Sequence, residues 1–223
     1  MIQRRWIKHN LQLELSVAAI HTTTFALTHL LYDTAAHPKY IPILRDEIKT
    51  ALAQKGGEYN KDCISKMVKL DSFMKESQRL HPPGFANFQR LVLKTFTLSD
   101  GTVIPKGVTL NIDGWSRYRD AENWANPDQF DGLRFVRLRE QSQDRGNHQY
   151  VSSNSDDVFW GQGRHACPGR FFAANEIKTL FAMFLLEYDI MFPKGTERPA
   201  DTSAGAFICP SPTAQVLGRK VQK

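Results

Sequence analysis

Several groups of side chains in this sequence have the types and spacing that chemistry requires. The stretch DDVFWGQGRHACPGRFF, Asp156 to Phe172, sets a lone cysteine, Cys167, between Gly163 and Gly169, with His165 two residues ahead of it and Trp160 upstream. Glu76 and Arg79 stand at i and i+3 in a helical pattern, so their charges share one helix face. Arg134 lies in NPDQFDGLRF, Arg90 closes HPPGFANFQR, and His21 and Thr22 sit in AAIHTT within a long apolar run.

The cysteine admits several readings. Gly161 to Ala166 fits G-x-G-x-x-A, a dinucleotide-loop pattern, with Asp189 as a later acidic residue. NSDDVFW, however, supplies too few apolar residues for a buried parallel strand before the first glycine, and no repeated βαβ pattern follows. A cysteine nucleophile with His165 as base lacks any feature that marks an oxyanion hole. For an arbitrary cysteine, a small buried hydrophobe is the plain reading. The neighbours of Cys167 argue for more. Pro168 suits the first position of a helix, which would put Cys167 at the positive end of the helix dipole, where a thiolate is stabilised. Glycines on both sides let the backbone wrap tightly and let something flat come close. Those are the needs of an axial ligand to heme iron.

Such a site must be positioned by the rest of the chain. Leu11 to about Leu31 reads as one long helix, rich in Ala and Leu and free of Pro, expected to be buried on most sides. A second helix is expected from Ile41 to about Gln54, with Arg45, Asp46 and Glu47 on its polar side and Gly56-Gly57 ending it. A third runs from about Asp62 to Leu80, with Met67, Leu70, Phe73 or Met74, and Leu80 at helical spacing. FQRLVLKTFTLSDGTVIPKGVTLNI then alternates about Asp100-Gly101, a hairpin signal, and Pro105 and Gly107 add a second turn. Trp115 to Ser155 reads as a long irregular connection, of the kind that is functional or wrapped on something. A fourth helix from Pro168 to about Leu186 and a strand at YDIMF follow. The class is mainly α with a small β-sheet.

Composition limits the function. Twenty-nine Lys and Arg against 23 Asp and Glu give +6, but the positive charges are scattered, so no nucleic-acid partner is indicated. Cys63, Cys167 and Cys209 are odd in number and far apart, which fits neither a disulfide framework nor a CxxC zinc site and points to a reducing compartment. The basic start MIQRRWIKHN is followed by a segment too polar for a signal peptide or a membrane span, so no transmembrane anchor is expected in this chain, which by itself would be cytoplasmic.

Together these residues resemble the cytochrome P-450 family of heme-thiolate monooxygenases, whose cysteine loop follows F-x-x-G-x-[RH]-x-C-x-G. Gly163, His165, Cys167 and Gly169 match it, while Trp160 stands where phenylalanine is usual and Phe159 falls one position early. The tryptophan could still pack on the heme face and donate a hydrogen bond. The resemblance implies heme b (iron protoporphyrin IX) with Cys167 as axial ligand, and Arg90 and His165 as contacts to its propionates. Glu76 and Arg79 match E-x-x-R, and Arg134 would complete a buried Glu-Arg-Arg cluster; alone, E-x-x-R is as readily an exposed helix pair. Ala18 to Thr23 is similar to the oxygen-binding kink [AG]-G-x-[DE]-T-[ST], with Thr22 in proton delivery and His21 in place of the usual acid. The resemblance covers essentially the whole chain, yet only the C-terminal half of the fold, so residues 1–223 are expected to be a single partial domain with one open side on the first helix. The style is that of fungal secondary metabolism. It implies a small hydrophobic natural product as substrate (terpenoid, indole-diterpene, alkaloid or polyketide) and an NADPH-dependent reductase as electron donor. A full-length member would sit on the cytosolic face of the endoplasmic reticulum membrane. The alternative expectation is a truncated, inactive relic that keeps the motifs.

Overall fold

The computed structural model describes residues 2–142, 145–154 and 157–222. Ser155, the expected end of the long connection, and Asp156, the start of the cysteine stretch, lie outside the described residues. The order of elements is α1 (Ile2–Ala36), α2 (Ile41–Ala53), α3 (Lys61–Lys66), α4 (Val68–Leu80), β1 (Ala86–Leu91), β2 (Phe96–Thr97), β3 (Val103–Ile104), β4 (Thr109–Asp113), α5 (Gly114–Arg117), α6 (Arg134–Gln141), α7 (Arg170–Glu187), β5 (Tyr188–Met191), β6 (Thr202–Ala204), β7 (Phe207–Cys209) and β8 (Leu217–Lys220). The chain is mainly α, as expected. The expected small sheet is instead four separate antiparallel ribbons, β1 with β4, β2 with β3, β5 with β8 and β6 with β7. No parallel pair occurs among the described strands, which removes the dinucleotide reading; Asp189 instead accepts from Arg45 at 2.9 Å and Arg219 at 3.0 Å.

The helices differ from the expected ones where charge intervenes. The expected third helix is two, α3 and α4, broken at Met67 (φ −80, ψ 72). The break has a partner: Glu47 of α2 accepts from the backbone N–H of Lys69 at 2.8 Å and of Leu70 at 2.9 Å, capping the start of α4 from a neighbouring helix. Arg45 does the converse for α7, donating to the carbonyls of Leu185 (2.5 Å) and Tyr188 (2.8 Å) at its C-terminal end. Residues expected on a polar outer face thus join helix ends. The long connection also contains α5 and α6, so it is less irregular than its composition suggests.

The core lies where the C-terminal part of α1 meets α2, α4 and α7, around Leu30, Leu44, Ile48, Leu70, Phe73, Ile177, Phe181 and Leu185. α1 is not buried on most sides: Leu11, Leu13, Leu15, Val17 and Ile20 are each more than half exposed, and burial begins at His29. In contrast every residue of α4 from Leu70 to Leu80 is buried, charged ones included. Around Phe73, the rings of Tyr40, Phe130 and Phe181 lie with centroids 5.0–5.8 Å away.

Gly132 crosses this aromatic cluster so closely that a Cβ would come within 2.7 Å of Phe73 Cδ2 and 3.3 Å of Tyr40 Cε1. Gly132→Ala is therefore expected to destabilise the chain by about 1–3 kcal/mol through overpacking. In urea unfolding, adding Phe73→Leu should restore part of the loss, since it removes the ring atoms the methyl meets; simple additivity of the two losses would contradict this account.

Candidate functional site

A cavity of about 400 Å³ lies between α1 on one side and α7 with its preceding loop on the other. Its walls are mostly apolar. Ala18, Ala19 and Thr22 come from α1, Met74 and Gln78 from α4, and Phe159, Trp160, Cys167, Pro168 and Gly169 from the loop. The structure therefore brings Cys167, Trp160, Gly169 and Thr22, far apart in sequence, to one space. Among the described residues it leaves His21, His165, Gly163 and Arg90 outside the cavity wall.

The cysteine loop is built by its backbone. Cys167 N–H donates to the Trp160 carbonyl at 2.6 Å, closing the loop, and Gly161 N–H donates to Val158 at 2.9 Å. Gly161 (φ +73) and Gly163 (φ +63) take the left-handed conformation that side chains disfavour, and a Cβ on Gly161 would also press on the His165 carbonyl at 3.0 Å. α7 begins at Arg170 with Gly169 as its N-cap residue, so Pro168 is not the first helical residue and Cys167 stands three residues before the helix. The Cys167 carbonyl is nevertheless held by that first turn, accepting from the Arg170 guanidinium at 2.9 Å. Gly169 has a helical φ of −87, which needs no glycine. A Cβ there would meet nothing within 4 Å, because the space beside it is open. Trp160 spends its indole N–H on the Tyr150 carbonyl at 2.7 Å and packs edge-on against Tyr150 and Phe159, so it offers the cavity a ring and not a donor. His165 is exposed, with its Nε2 3.2 Å from Arg164 Nε. Arg90, on β1, reaches the same loop by donating to the Gln162 carbonyl at 3.4 Å.

Glu76, Arg79 and Arg134 meet as one buried cluster. Glu76 is fully buried and holds Arg79 bidentately, with Nε and one terminal nitrogen each at 2.9 Å. Arg134 Nε lies 3.1 Å from both Glu76 oxygens, and Asp131 N–H donates to the same carboxylate at 3.0 Å. The remaining guanidinium donors are spent on loop carbonyls: Arg79 on Tyr118 (2.5 Å) and Pro127 (2.7 Å), Arg134 on Ala125 (2.5 Å) and Gln129 (3.1 Å). The connection between β4 and α6 is thereby strapped to α4. An isolated exposed pair, the other reading of E-x-x-R, is excluded by this burial.

On α1, Thr22 Oγ1 donates back to the Ala18 carbonyl at 2.7 Å, and Thr24 and Thr28 repeat the arrangement. The helix is continuous through the segment; hydroxyls bonded to i−4 carbonyls bend a helix without breaking it. His21 is exposed, 6.5 Å from Phe25 between ring centroids.

Sequence reasoning missed a second buried cluster, at the far end of the cavity, made by His29 and Asp33 of α1, His81 after α4, and Arg198 and Asp201 before β6. The i, i+4 spacing of His29 and Asp33 was the available signal; their partners lie more than 40 residues away. His29, His81 and Asp201 have the types of a metal site. Arg198, whose terminal nitrogen is 3.1 Å from His29 Nδ1, sets a fixed cation where a metal would have to bind.

The family model for cytochrome P450 matches residues 8–217. Among curated proteins, the chain is 42% identical over 209 residues to cytochrome P450 monooxygenase AN1598 of Emericella nidulans, covering 94% of this chain and 39% of that protein. It is 44% identical to cytochrome P450 monooxygenase olcJ of Penicillium canescens, covering 92% and 38%, and 37% identical to ent-kaurene oxidase P450-4 of Gibberella fujikuroi, covering 92% and 41%. The chain thus spans about two-fifths of the length of these relatives. Its fold is similar to that of retinoic acid bound cyanobacterial CYP120A1, with a TM-score of 0.77 and 22% identity, over 94% of this chain and 45% of that one.

Because Glu76 neutralises two guanidiniums away from water, Glu76→Gln is expected to cost about 3–5 kcal/mol in denaturant unfolding. The same change at exposed Glu140 should move stability by less than about 0.5 kcal/mol. Equal losses at the two positions would show that the cluster is no more consequential than a surface charge.

Proposed function

The chain belongs to the cytochrome P450 family, and on that premise we propose that it forms the heme-binding half of a monooxygenase whose iron is held by Cys167. The observation that carries this reading is the convergence of Cys167, Gly169, Trp160 and Thr22 on one apolar cavity. A flat, largely apolar group fits the residues present. The volume lies within the range of roughly 300–1,000 Å³ usual for small-molecule sites, Gly169 in the wall leaves open space beside it, and the thiol is a soft donor of the kind heme iron takes. Heme b bound there would supply the oxygen and electron chemistry of a monooxygenase, which no side chain can supply, inserting one oxygen atom into a C–H bond or alkene.

The residues of the chain then divide the remaining work. Gly161 and Gly163 shape the loop that presents Cys167. Trp160 gives the cavity a rigid ring whose polar atom is already satisfied. Arg90 and His165 flank the loop on the solvent side, where a guanidinium and an imidazole can meet propionates by charge-assisted bonds. Thr22 places a hydroxyl in the cavity wall for proton delivery, with the exposed His21 next to it in the position of the family's usual acid. Glu76, Arg79 and Arg134 hold the connection that precedes the loop.

The substrate proposed is a small hydrophobic natural product of fungal secondary metabolism. The apolar walls support it, as does a relative named for oxidising ent-kaurene. Terpenoid, indole-diterpene, alkaloid and polyketide skeletons all fit that description. The electron donor proposed is an NADPH-dependent reductase, and the location of the whole protein the cytosolic face of the endoplasmic reticulum membrane. No described helix is long and apolar enough to cross a membrane.

The test is a reduced, carbon monoxide difference spectrum of the expressed chain with added heme, beside Cys167→Ala. A Soret band far to the red of imidazole-ligated heme, lost in the variant, is expected; no heme uptake, or a band indifferent to Cys167, would overturn the assignment. Gly169→Val sharpens it. The heme-free chain should keep its stability within about 0.5 kcal/mol, since the new side chain enters open space, while heme uptake falls. Unchanged uptake would place the heme elsewhere.

A further inference from the structure

Two cavities meet at one histidine. The apolar cavity is bounded at its far end by His29 and His81. A second, polar cavity of about 520 Å³, lined by Asp33, Lys39, Arg119, Asp128 and Arg198, also has His81 in its wall. His81 is thus the partition between them, and its ring is clamped on both edges: Nδ1 lies 2.6 Å from Asp201 Oδ2 and Nε2 lies 3.4 Å from Asp33 Oδ1. His29 stacks on it with centroids 4.9 Å apart and planes 14° from parallel.

We propose that His29 and His81 form a latch in which only His81 is charged, and that its two protonated nitrogens keep the base of the β6–β7 hairpin closed over the partition. A ring with a carboxylate on each nitrogen makes both contacts as a donor only when both nitrogens carry hydrogen, that is, as the imidazolium. His29 is held in the other state. Arg198 can only donate, so the His29 Nδ1 that it meets at 3.1 Å must accept, which keeps His29 neutral. Arg198 itself is fixed by Asp33 at 2.6 Å and Asp201 at 3.1 Å. These four groups face His81 from α1 and from the segment before β6, while His37, Tyr32 and Arg119 act on the same carboxylates and guanidinium from further out.

The titration directions agree with the geometry. Burial would lower His81, but the charge of Asp33 and the bonds to Asp201 and Asp33 outweigh it and hold its pKa above the ordinary value. Burial first, and then the charge of His81, push His29 down to about 4. Asp33 and Asp201 are held below the usual carboxylate range, since His81 and Arg198 outweigh the effect of burial. The latch therefore has two limits. As pH rises through the raised pKa of His81, its second ring proton is lost, and with it the stability that was fully present below the ordinary histidine range. As pH falls towards about 4, His29 must charge against a stacked cation, and the pair repels.

What the latch holds is a wall of the apolar cavity. Asp201 precedes β6, which pairs with β7, and Ile208 of β7 lines the cavity together with Pro83, to whose carbonyl its N–H donates at 3.1 Å. Release at Asp201 would loosen this wall and join the polar cavity to the apolar one.

Hydrogen exchange of the 223-residue chain between pH 3.5 and 9, corrected for intrinsic rates, tests the latch without any activity assay. Peptides over residues 198–209 should show greatest protection at intermediate pH, falling about tenfold or more on each side, while residues 41–53 of α2 stay flat. Protection independent of pH, or falling in α2 and residues 198–209 alike, would overturn the proposal. His29→Phe keeps the stacked ring and should abolish the acid-side fall alone. Asp201→Asn, the mildest change, should lower the alkaline limit. Persistence of the acid-side fall in H29F, or an unmoved alkaline limit in D201N, would show that other groups set these limits.

Discussion

The fold of this chain depends on the carboxylate of Glu76, buried between two guanidiniums. α4 carries Asp71, Lys75, Glu76 and Arg79 into the interior, and each finds its partner in a later stretch of chain: Lys178, Arg139 and the Tyr150 N–H for Asp71, Asp157 for Lys75, Arg134 for Glu76, and the carbonyls of Tyr118 and Pro127 for Arg79. Most of the chain between β4 and α7 lacks regular structure, and its path is drawn by these bonds. A buried ion pair gives little net stability against a well-packed apolar pair, but losing one member strands the other. Such charges fix where a segment sits more than how firmly the whole molecule holds.

That distinction explains why a loop can present the cysteine without a helix beneath it. Cys167 stands three residues before α7, and its position comes from the hydrogen bond to Trp160, from two left-handed glycines and from Trp160's own bond to Tyr150. Tyr150 N–H in turn bonds Asp71 on α4. A continuous line of hydrogen bonds thus joins the cysteine loop to the buried helix, and the cavity wall inherits its precision from α4.

The same device recurs at the other end of the cavity with titratable groups. His29, Asp33, His81, Arg198 and Asp201 tie the start of α1's buried part, the end of α4 and the β6–β7 hairpin together. Fixed charges brace the cysteine end of the cavity. The far end is braced by imidazoles, whose charge depends on pH, so the two ends respond differently to their surroundings.

How much was legible follows from how local each signal is. The helices at 41–53 and 170–187 and the hairpin about Gly101 were readable, because apolar spacing and turn residues act within a few positions. E-x-x-R, the AAIHTT segment and the glycine-flanked Cys167 stood out for the same reason, and each is a short run of residue types. The break at Met67 was not readable, since it is stabilised by Glu47 from another helix. Nor was the exposure of Leu11 to Ile20, because an apolar helix looks the same in sequence whether or not something covers it. The sequence by itself determined the mainly α class, most of the helices and the chemistry available to them. Only the tertiary structure decided that Cys167 and Thr22 share a cavity, that His21 and His165 are exposed and outside its wall, and that two histidines 52 positions apart stack between aspartates. Propensity and pattern act along the chain, whereas a buried charge selects its partner across space, by what is near enough to replace the water it lost.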